Sequence, residues 1–258
     1  MSDITVAVAS HKPYWMPQDS CYVPVWVGAA TREEEPPEGW HRDDEHDPNI
    51  SAKNTNYCEL TALHWLWKAT DTPYAGLVHY RRHFARGPFG VAKDRVAHEE
   101  DLLKRMNKAP LLLPQPRNYV IETNYSQYAH AHHGSDLDVT REVLAELYPS
   151  VVPAWDDSMQ RTRGHRFNML VAHRDVLDQW CDFLFTVLEE LEERIDTSGY
   201  SDNDKRVFGF VSERLLDPWV ETNDIAYTEL PVANLESQHW PKKAVNFVAR
   251  KVGGRNVL

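Results

Sequence analysis

Residues 75–84, Ala-Gly-Leu-Val-His-Tyr-Arg-Arg-His-Phe, join a short apolar run to an abrupt polar end at His79, Tyr80, Arg81 and Arg82. An apolar run of this length suits a buried strand. In an open α/β sheet, ligands collect outside the carboxyl ends of the strands. Two neighbouring guanidiniums there present planar forks of donors that match phosphate oxygens, so a diphosphate is the chemistry they suit. A solvated arginine pair closing an ordinary strand accounts for the same residues equally well. Other polar clusters are His11-Lys12, Asn49-Ile50-Ser51 with Asn54, Gln127 with His130, His132, His133 and Asp136, and Gly164-His165-Arg166-Phe167-Asn168. No phosphate loop, GxGxxG turn, GxSxG elbow, HExxH or CxxC pair occurs. ATP-dependent, dinucleotide-dependent and simple serine-hydrolase chemistry therefore lose support.

The elements that must position these clusters follow from apolar periodicity. Ile4–Ala9 reads as a first strand that delivers His11 and Lys12 to the ligand edge. Residues 13–49, rich in Pro, Trp and acids, read as a long loop region. Asn56 to Ala69 reads as one helix with Leu60, Leu63 and Trp67 on a face. Asn56 and Glu59 have capping-box spacing, a structural role for Glu59 that competes with a ligand role. A polar helix near 97–107 precedes a strand at Ala109–Leu113, and Gln127–Tyr148 reads as a loop entering a helix near Ser135 or Asp136. Phe167–Ala172 reads as a further strand, and Val176 to Ile195 as a long amphipathic helix with an acidic outer face. A last helix spans roughly 204–216, before Asp217-Pro218. Strands alternating with helices indicate an α/β domain.

Bulk properties narrow the partners. With 258 residues, 42% hydrophobic and 26% charged, the chain has an ordinary globular composition. A net charge of −11 argues against nucleic-acid binding, which draws its affinity from phosphate neutralisation. No run approaches a membrane span, and the N-terminus lacks the basic and apolar regions of a signal peptide. Cys21, Cys58 and Cys181 are widely spaced and read as reduced thiols, so a cytoplasmic location is expected. From Gln238 to Leu258 there are five basic residues and no acid, interleaved with Trp240, Val245, Phe247, Val248 and Val252. Such a terminus suits either peripheral contact with an anionic membrane or a solvated tail.

The order of the motifs resembles a known family. Asn49-Ile50-Ser51-x-Lys53-Asn54, then YCELTALHWLWK from Tyr57 and GLVHYRR from Gly76, are similar to a bacterial glycosyltransferase family long catalogued only as a domain of unknown function. That family occurs in capsule, exopolysaccharide and O-antigen loci and includes galactofuranosyltransferases. The resemblance continues through His11–Pro17, Leu111–Pro114, Gln127–Leu137, Gly164–Met169 and Arg206–Leu216. It covers most of a single domain at 1–235 and leaves 236–258 as a separate tail.

The resemblance implies an α/β, GT-A-like fold. It also implies an inverting transferase that moves galactofuranose from UDP-galactofuranose to a saccharide or lipid-linked saccharide acceptor. On that reading His11, Lys12, Asn49, Ser51, Asn54, Glu59, His79, Tyr80, Arg81 and Arg82 bind the donor. Gln127, His132, His165 and Asn168 bind the acceptor. HYRR stands where many GT-A enzymes carry an acidic metal-binding motif, so no obligatory cofactor is expected. The acidic patch Asp43, Asp44 and Asp47 leaves a divalent metal open, against its reading as solvated loop. Asp136 is the first candidate for the acceptor base, and a helix cap is its competing role. Asp157 is the second candidate, against a surface turn, and His133 lies beside the first. Arg206, Glu213 and Arg214 read first as an internal ion-pair network and second as acceptor contacts. Two alternatives stand: a metal-dependent hydrolase built on His130, His132, His133 and Asp136, and a catalytically silent sugar-binding protein of the same fold. Histidine spacing of i, i+2, i+3 does not place all three on one helix face, which weighs against the first.

Overall fold

Strand β1 (Ile4–Ser10) sends alternate side chains to opposite faces, Ala7 and Ala9 into one apolar core and Ile4, Val6 and Val8 into another. With both faces covered, the strand reads as a near-continuous apolar run. The computed structural model describes residues 2–236, so the basic segment and the membrane contact expected of it lie outside the described residues.

The chain continues through β2 (Tyr22–Trp26), β3 (His41–Arg42), α1 (Asn54–Tyr57), α2 (Leu60–Ala69), β4 (Tyr74–His79) and β5 (Arg82–Phe84). Then come α3 (Glu99–Met106), β6 (Leu111–Pro114), β7 (Arg117–Asn118), α4 (Asn124–Ala131), α5 (Gly134–Leu147) and α6 (Val152–Gln160). The last elements are β8 (Arg163–Gly164), β9 (Leu170–His173), α7 (Arg174–Arg194), α8 (Val207–Thr222), β10 (Tyr227–Leu230) and β11 (Val232–Asn234). The mixed sheet runs β10-β6-β9-β4-β1-β2-β3, with β5 and β11 joined beyond the end of β4, and β7 pairs separately with β8. β1 is parallel to both β2 and β4, while β9 runs antiparallel between β4 and β6. From β1 the chain moves outward to β2 and β3, then returns through α1 and α2 to β4 on the other side of β1. That reversal makes the carboxyl ends of β1 and β4 a topological switch point, where open sheets form their ligand crevice.

Several sequence expectations change in detail, and the region 13–49 expected as a loop carries β2 and β3. The helix expected from Asn56 is broken at Cys58, whose backbone has φ 54° and ψ −130°. The side chain of Asn54 spans the break, donating to the Cys58 carbonyl at 2.7 Å and to Thr61 Oγ1 at 3.1 Å. Glu59 makes no capping bond to α2, so its capping-box role is not realised. The strand expected at Phe167–Ala172 begins only at Leu170, because Phe167 (φ 79°) and Asn168 (φ 52°) form a left-handed turn. The segment 127–148 is helical almost throughout, as α4 and α5 with a short break at 132–133. α8 runs through Pro218 to Thr222 because Leu215, Leu216, Trp219 and Val220 are all buried, and this packing outweighs the lost amide donor.

Gly76 is required by the pairing of β4 with β9. A Cβ there would lie 2.5 Å from the Leu170 carbonyl oxygen and 2.9 Å from Val171 Cα, both backbone atoms that cannot move aside alone. Gly76→Ala is expected to lower the unfolding free energy by about 1–3 kcal/mol or more, as overpacking does. Urea denaturation checks this, and an unchanged midpoint would show that the strands can separate freely.

Candidate active site

Two adjoining cavities open at the carboxyl ends of β1 and β4. The first, of about 470 Å³, is lined by His79, Arg81 and Arg82 from the β4–β5 turn, Arg117 and Tyr119, Arg206 just before α8, and Glu213 and Arg214 along it. The second, of about 530 Å³, takes Ser10 and His11 from the end of β1, with Arg32, Asn54, Tyr80 and Asp202. Cys58, Glu59, His79, Arg81 and Arg206 line both and form their common wall. Each volume lies in the range of small-molecule sites.

The first cavity is crowded with guanidiniums, but they are not equivalent. Arg166 is spent on structure, donating to Tyr119 Oη at 3.1 Å, the Glu213 carbonyl at 3.1 Å and Asn124 Oδ1 at 2.6 Å. Arg214 is held by the Phe210 carbonyl at 2.9 Å, Glu213 Oε2 at 3.0 Å and Gln127 Oε1 at 2.8 Å. Among the described residues Arg81 makes a 3.4 Å contact with Glu236 and lies 5.7 Å from the Tyr80 ring centre. Arg82 lies over the Phe167 ring, 4.5 Å from its centre, and Arg206 donates to Cys58 Sγ at 3.1 Å. His79 Nδ1, Arg81 Nε, Arg82 Nε and Arg214 Nε are buried without a hydrogen-bond partner among the described residues. Buried donors are rarely left so, and a cluster of them in one wall marks a place for an acceptor-rich ligand.

Over residues 5–224 the chain matches the family described as a domain of unknown function, DUF4422. The chain belongs to that family. Comparison with curated proteins finds no match. Among solved structures it is similar to the apo structure of WbbM, a bifunctional glycosyltransferase, at 26% identity and a TM-score of 0.82. That likeness covers 91% of this chain and 45% of the WbbM chain, so the chain spans less than half of that protein. The mixed sheet flanked by helices is accordingly an α/β, GT-A-like fold.

The DUF4422 cleft gathers much of the expected donor set. His11, Asn54, Glu59, His79, Tyr80, Arg81 and Arg82 all line it, while Lys12 lies 5.1 Å from the Tyr80 ring centre and 3.8 Å from Glu236. Asn49 and Ser51 do not. Asn49 bonds Asp47 and the Ser51 amide, and the Ser51 hydroxyl donates to Asp43. Asp43 is no solvated loop residue: it is buried and accepts the Gly28 and Ala29 amides at 2.7 and 3.0 Å. Asp44 is paired with Arg42, so the acidic patch is committed to local structure.

Of the acceptor set, Gln127 and His132 line the first cavity, with His132 bonded to Asp204 at 2.9 Å. Asn168 is buried behind the wall. It donates to Glu59 Oε1 at 2.9 Å and to the Gly209 carbonyl at 3.0 Å, and accepts from Ser212 Oγ at 2.8 Å. His165 faces another cavity, with Arg161, Arg163 and Tyr227. The three expected base candidates lie off the cleft wall. Asp136 is buried and accepts the hydroxyls of Tyr128 at 2.9 Å and Tyr200 at 2.6 Å, a structural use of both its oxygens. Asp157 is exposed and paired with Arg161, and His133 stacks on Tyr200 at 4.1 Å. Among the described residues no three His, Cys, Asp or Glu side chains converge as a metal site, which leaves the hydrolase alternative without its ligands.

Arg206, Gly209, Phe210, Glu213 and Arg214 reach the first cavity together. Their spacing of i, i+3, i+4, i+7 and i+8 is one helix face, a pattern visible in the sequence but read there mainly as an ion-pair network. The Arg214–Glu213 pair does form, at 3.0 Å, on the cavity wall itself. Arg32, Arg117 and Tyr119 had no sequence signal.

The wall's charges set its proton affinities. Burial, then the charges of Arg81 and Arg82, hold the His79 imidazole well below its ordinary value, so it is neutral near neutral pH. Burial and the neighbouring Arg81 likewise lower Arg82. Burial, reinforced by Glu213, raises Glu59. Away from the cleft, His165 bonds Asp217 through Nδ1 at 2.5 Å and Glu229 through Nε2 at 3.2 Å. Burial opposes its protonation, yet the two carboxylates together raise it above 6.5. A raised folded-state value means that the stabilisation is full below the unfolded value and lost as pH rises through the folded one. His165→Gln should therefore cost more unfolding free energy near about pH 6 than near about pH 9. Equal losses at both, in paired urea titrations, would show that His165 acts without its charge.

Proposed function

We propose that this chain is an inverting glycosyltransferase that moves galactofuranose from UDP-galactofuranose to a saccharide or lipid-linked saccharide acceptor during cell-surface polysaccharide synthesis. One observation carries the reading: arginine donors without partners among the described residues converge at the switch point of a GT-A-like sheet. The likeness to a bifunctional glycosyltransferase supports transfer, and the motif resemblance supports the furanose donor. In displacement at an anomeric carbon, negative charge grows on the departing diphosphate. Fixed cations aimed at that charge lower the barrier without reorganising as it develops. Arg81, Arg82 and Arg206 are in place for this, and Arg117 adds a fourth charge on the same wall.

The residues at the end of β4 do not fit a resident divalent ion. They are cations and a neutral imidazole, while of the first cavity's carboxylates Glu213 is paired with Arg214 and Glu59 is bonded by Asn168. The proposed chemistry is therefore metal-independent, with guanidinium charge acting on the leaving group.

The test is UDP release from UDP-galactofuranose in the presence of galactoside acceptors, with and without a chelator, alongside binding titrations of UDP-galactopyranose and UDP-glucose. Turnover with the furanose donor that survives the chelator is expected. Binding of only pyranose donors would overturn the donor assignment, and binding without any turnover would favour a silent sugar-binding protein. Arg81→Ala should reduce kcat on the order of 10²–10³-fold. Its unfolding free energy should change by less than about 1 kcal/mol, because the lost ion pair is solvent-accessible. A variant that unfolds instead would make the arginine structural.

A further inference from the structure

We infer that Glu59 is the general base that takes the acceptor hydroxyl's proton. This rests on the transferase reading above and assigns it a residue. The base must stand where donor and acceptor meet. Among the described residues, Glu59 is the one carboxylate on the wall shared by the two cavities. It reaches that position because the chain breaks at Cys58, which separates α1 from α2 and frees Glu59 from any capping bond.

The rival groups are each disqualified by their surroundings. Glu213 lines only the first cavity, and both its oxygens are engaged, by the Phe167 amide at 3.0 Å and by Arg214 at 3.0 Å. Asp202 lines only the second and its side chain is fully exposed beside Lys205. His79 lines both, but protonating it would add a cation between Arg81 and Arg82. Protonating Glu59 instead removes a partly buried negative charge close to Glu213. Its Oε1 accepts from Asn168, and no other side chain bonds the carboxylate among the described residues. Burial and Glu213 raise its proton affinity, as a base working near neutrality requires.

The step balances without any further reagent. The acceptor O–H bond breaks toward Glu59 while the acceptor oxygen bonds the anomeric carbon. The carbon–phosphate-oxygen bond breaks, and its electron pair leaves with the nucleoside diphosphate. Glu59 later returns the proton to water.

Glu59→Gln separates this role from a structural one, because the amide oxygen can still accept the Asn168 bond. Expected results are a kcat lower on the order of 10²–10⁴-fold, UDP binding within about threefold of wild type, and loss of the acid limb of the kcat/KM profile. A Glu59→Gln enzyme that keeps kcat within about threefold, or keeps the acid limb, overturns the assignment while leaving the transferase reading intact. If that variant fails to fold, Glu59→Asp decides: reduced turnover with the acid limb retained supports the base, and wild-type turnover without the limb overturns it. A wild-type protein that releases UDP from no sugar donor overturns both readings together.

Discussion

The side-chain amide of Asn168 holds the cleft together. Its Nδ2 donates to Glu59 Oε1 and to the Gly209 carbonyl, and its Oδ1 accepts from Ser212. These bonds join the break before α2, the turn into β9 and the first turns of α8, segments far apart in the chain. The amide is buried, so losing one partner would strand a polar group, at a cost of about 1–3 kcal/mol. Asn168 also sits at φ 52°, a conformation asparagine tolerates better than most residues. Glu59, Gly209 and the Phe167 ring beneath Arg82 all take their places from this one junction. Gly209 adds a packing constraint, since a Cβ there would lie 3.2 Å from Cys58 Sγ.

Electrostatics follow from the same geometry. The chain carries a net charge of −11, yet the wall of the first cavity sets six arginines against two glutamates. Arg166 and Arg214 are bound into structure with Glu213 and Gln127, and they stiffen the frame that carries the other charges. Arg81, Arg82 and Arg206 are left with few partners. A cleft lined with one sign of charge between low-dielectric walls focuses the field onto its ligand, whatever the sign of the whole protein.

Much of this was legible in the chain. Strands β1 and β4 and helix α7 announce themselves by apolar runs and by a clear 3.6-residue stripe, since both sheet faces are covered by helices or loops. The placement of HYRR at a ligand edge also follows from local sequence. What periodicity cannot show is a break inside a helical pattern. Leu60, Leu63 and Trp67 keep their helical spacing across the Asn56–Ala69 segment, so the reversal at Cys58 leaves no trace in it. Asp136 misleads for a different reason. Its neighbours in sequence are histidines, but its partner Tyr200 is 64 residues away, and tertiary hydrogen bonding is invisible to spacing. Helix α8 passes through Pro218 because burial of Trp219 and Val220 outweighs a local stop signal.

The arginine wall carries an internal conflict that bears on what it is for. Arg82 is partly buried, with its Nε out of solvent, and its ionisation is held down first by that burial and then by Arg81. His79 is kept neutral by the same neighbours. Folding alone would be served better by apolar residues of similar volume, because buried charge is costly to desolvate. A structural arginine escapes that cost by saturating its donors, as Arg166 does with Tyr119, Asn124 and backbone carbonyls. Arg82 does not: its Nε has no partner among the described residues, and its compensation there is the face of Phe167. A group that adds acceptor oxygens and negative charge at this wall relieves both the unmet hydrogen bonds and the repulsion between the cations. The relief is greatest for a dianion whose charge increases during reaction, and a departing diphosphate has that property. On the proposed transferase reading, that relief falls on the leaving group rather than on the fold.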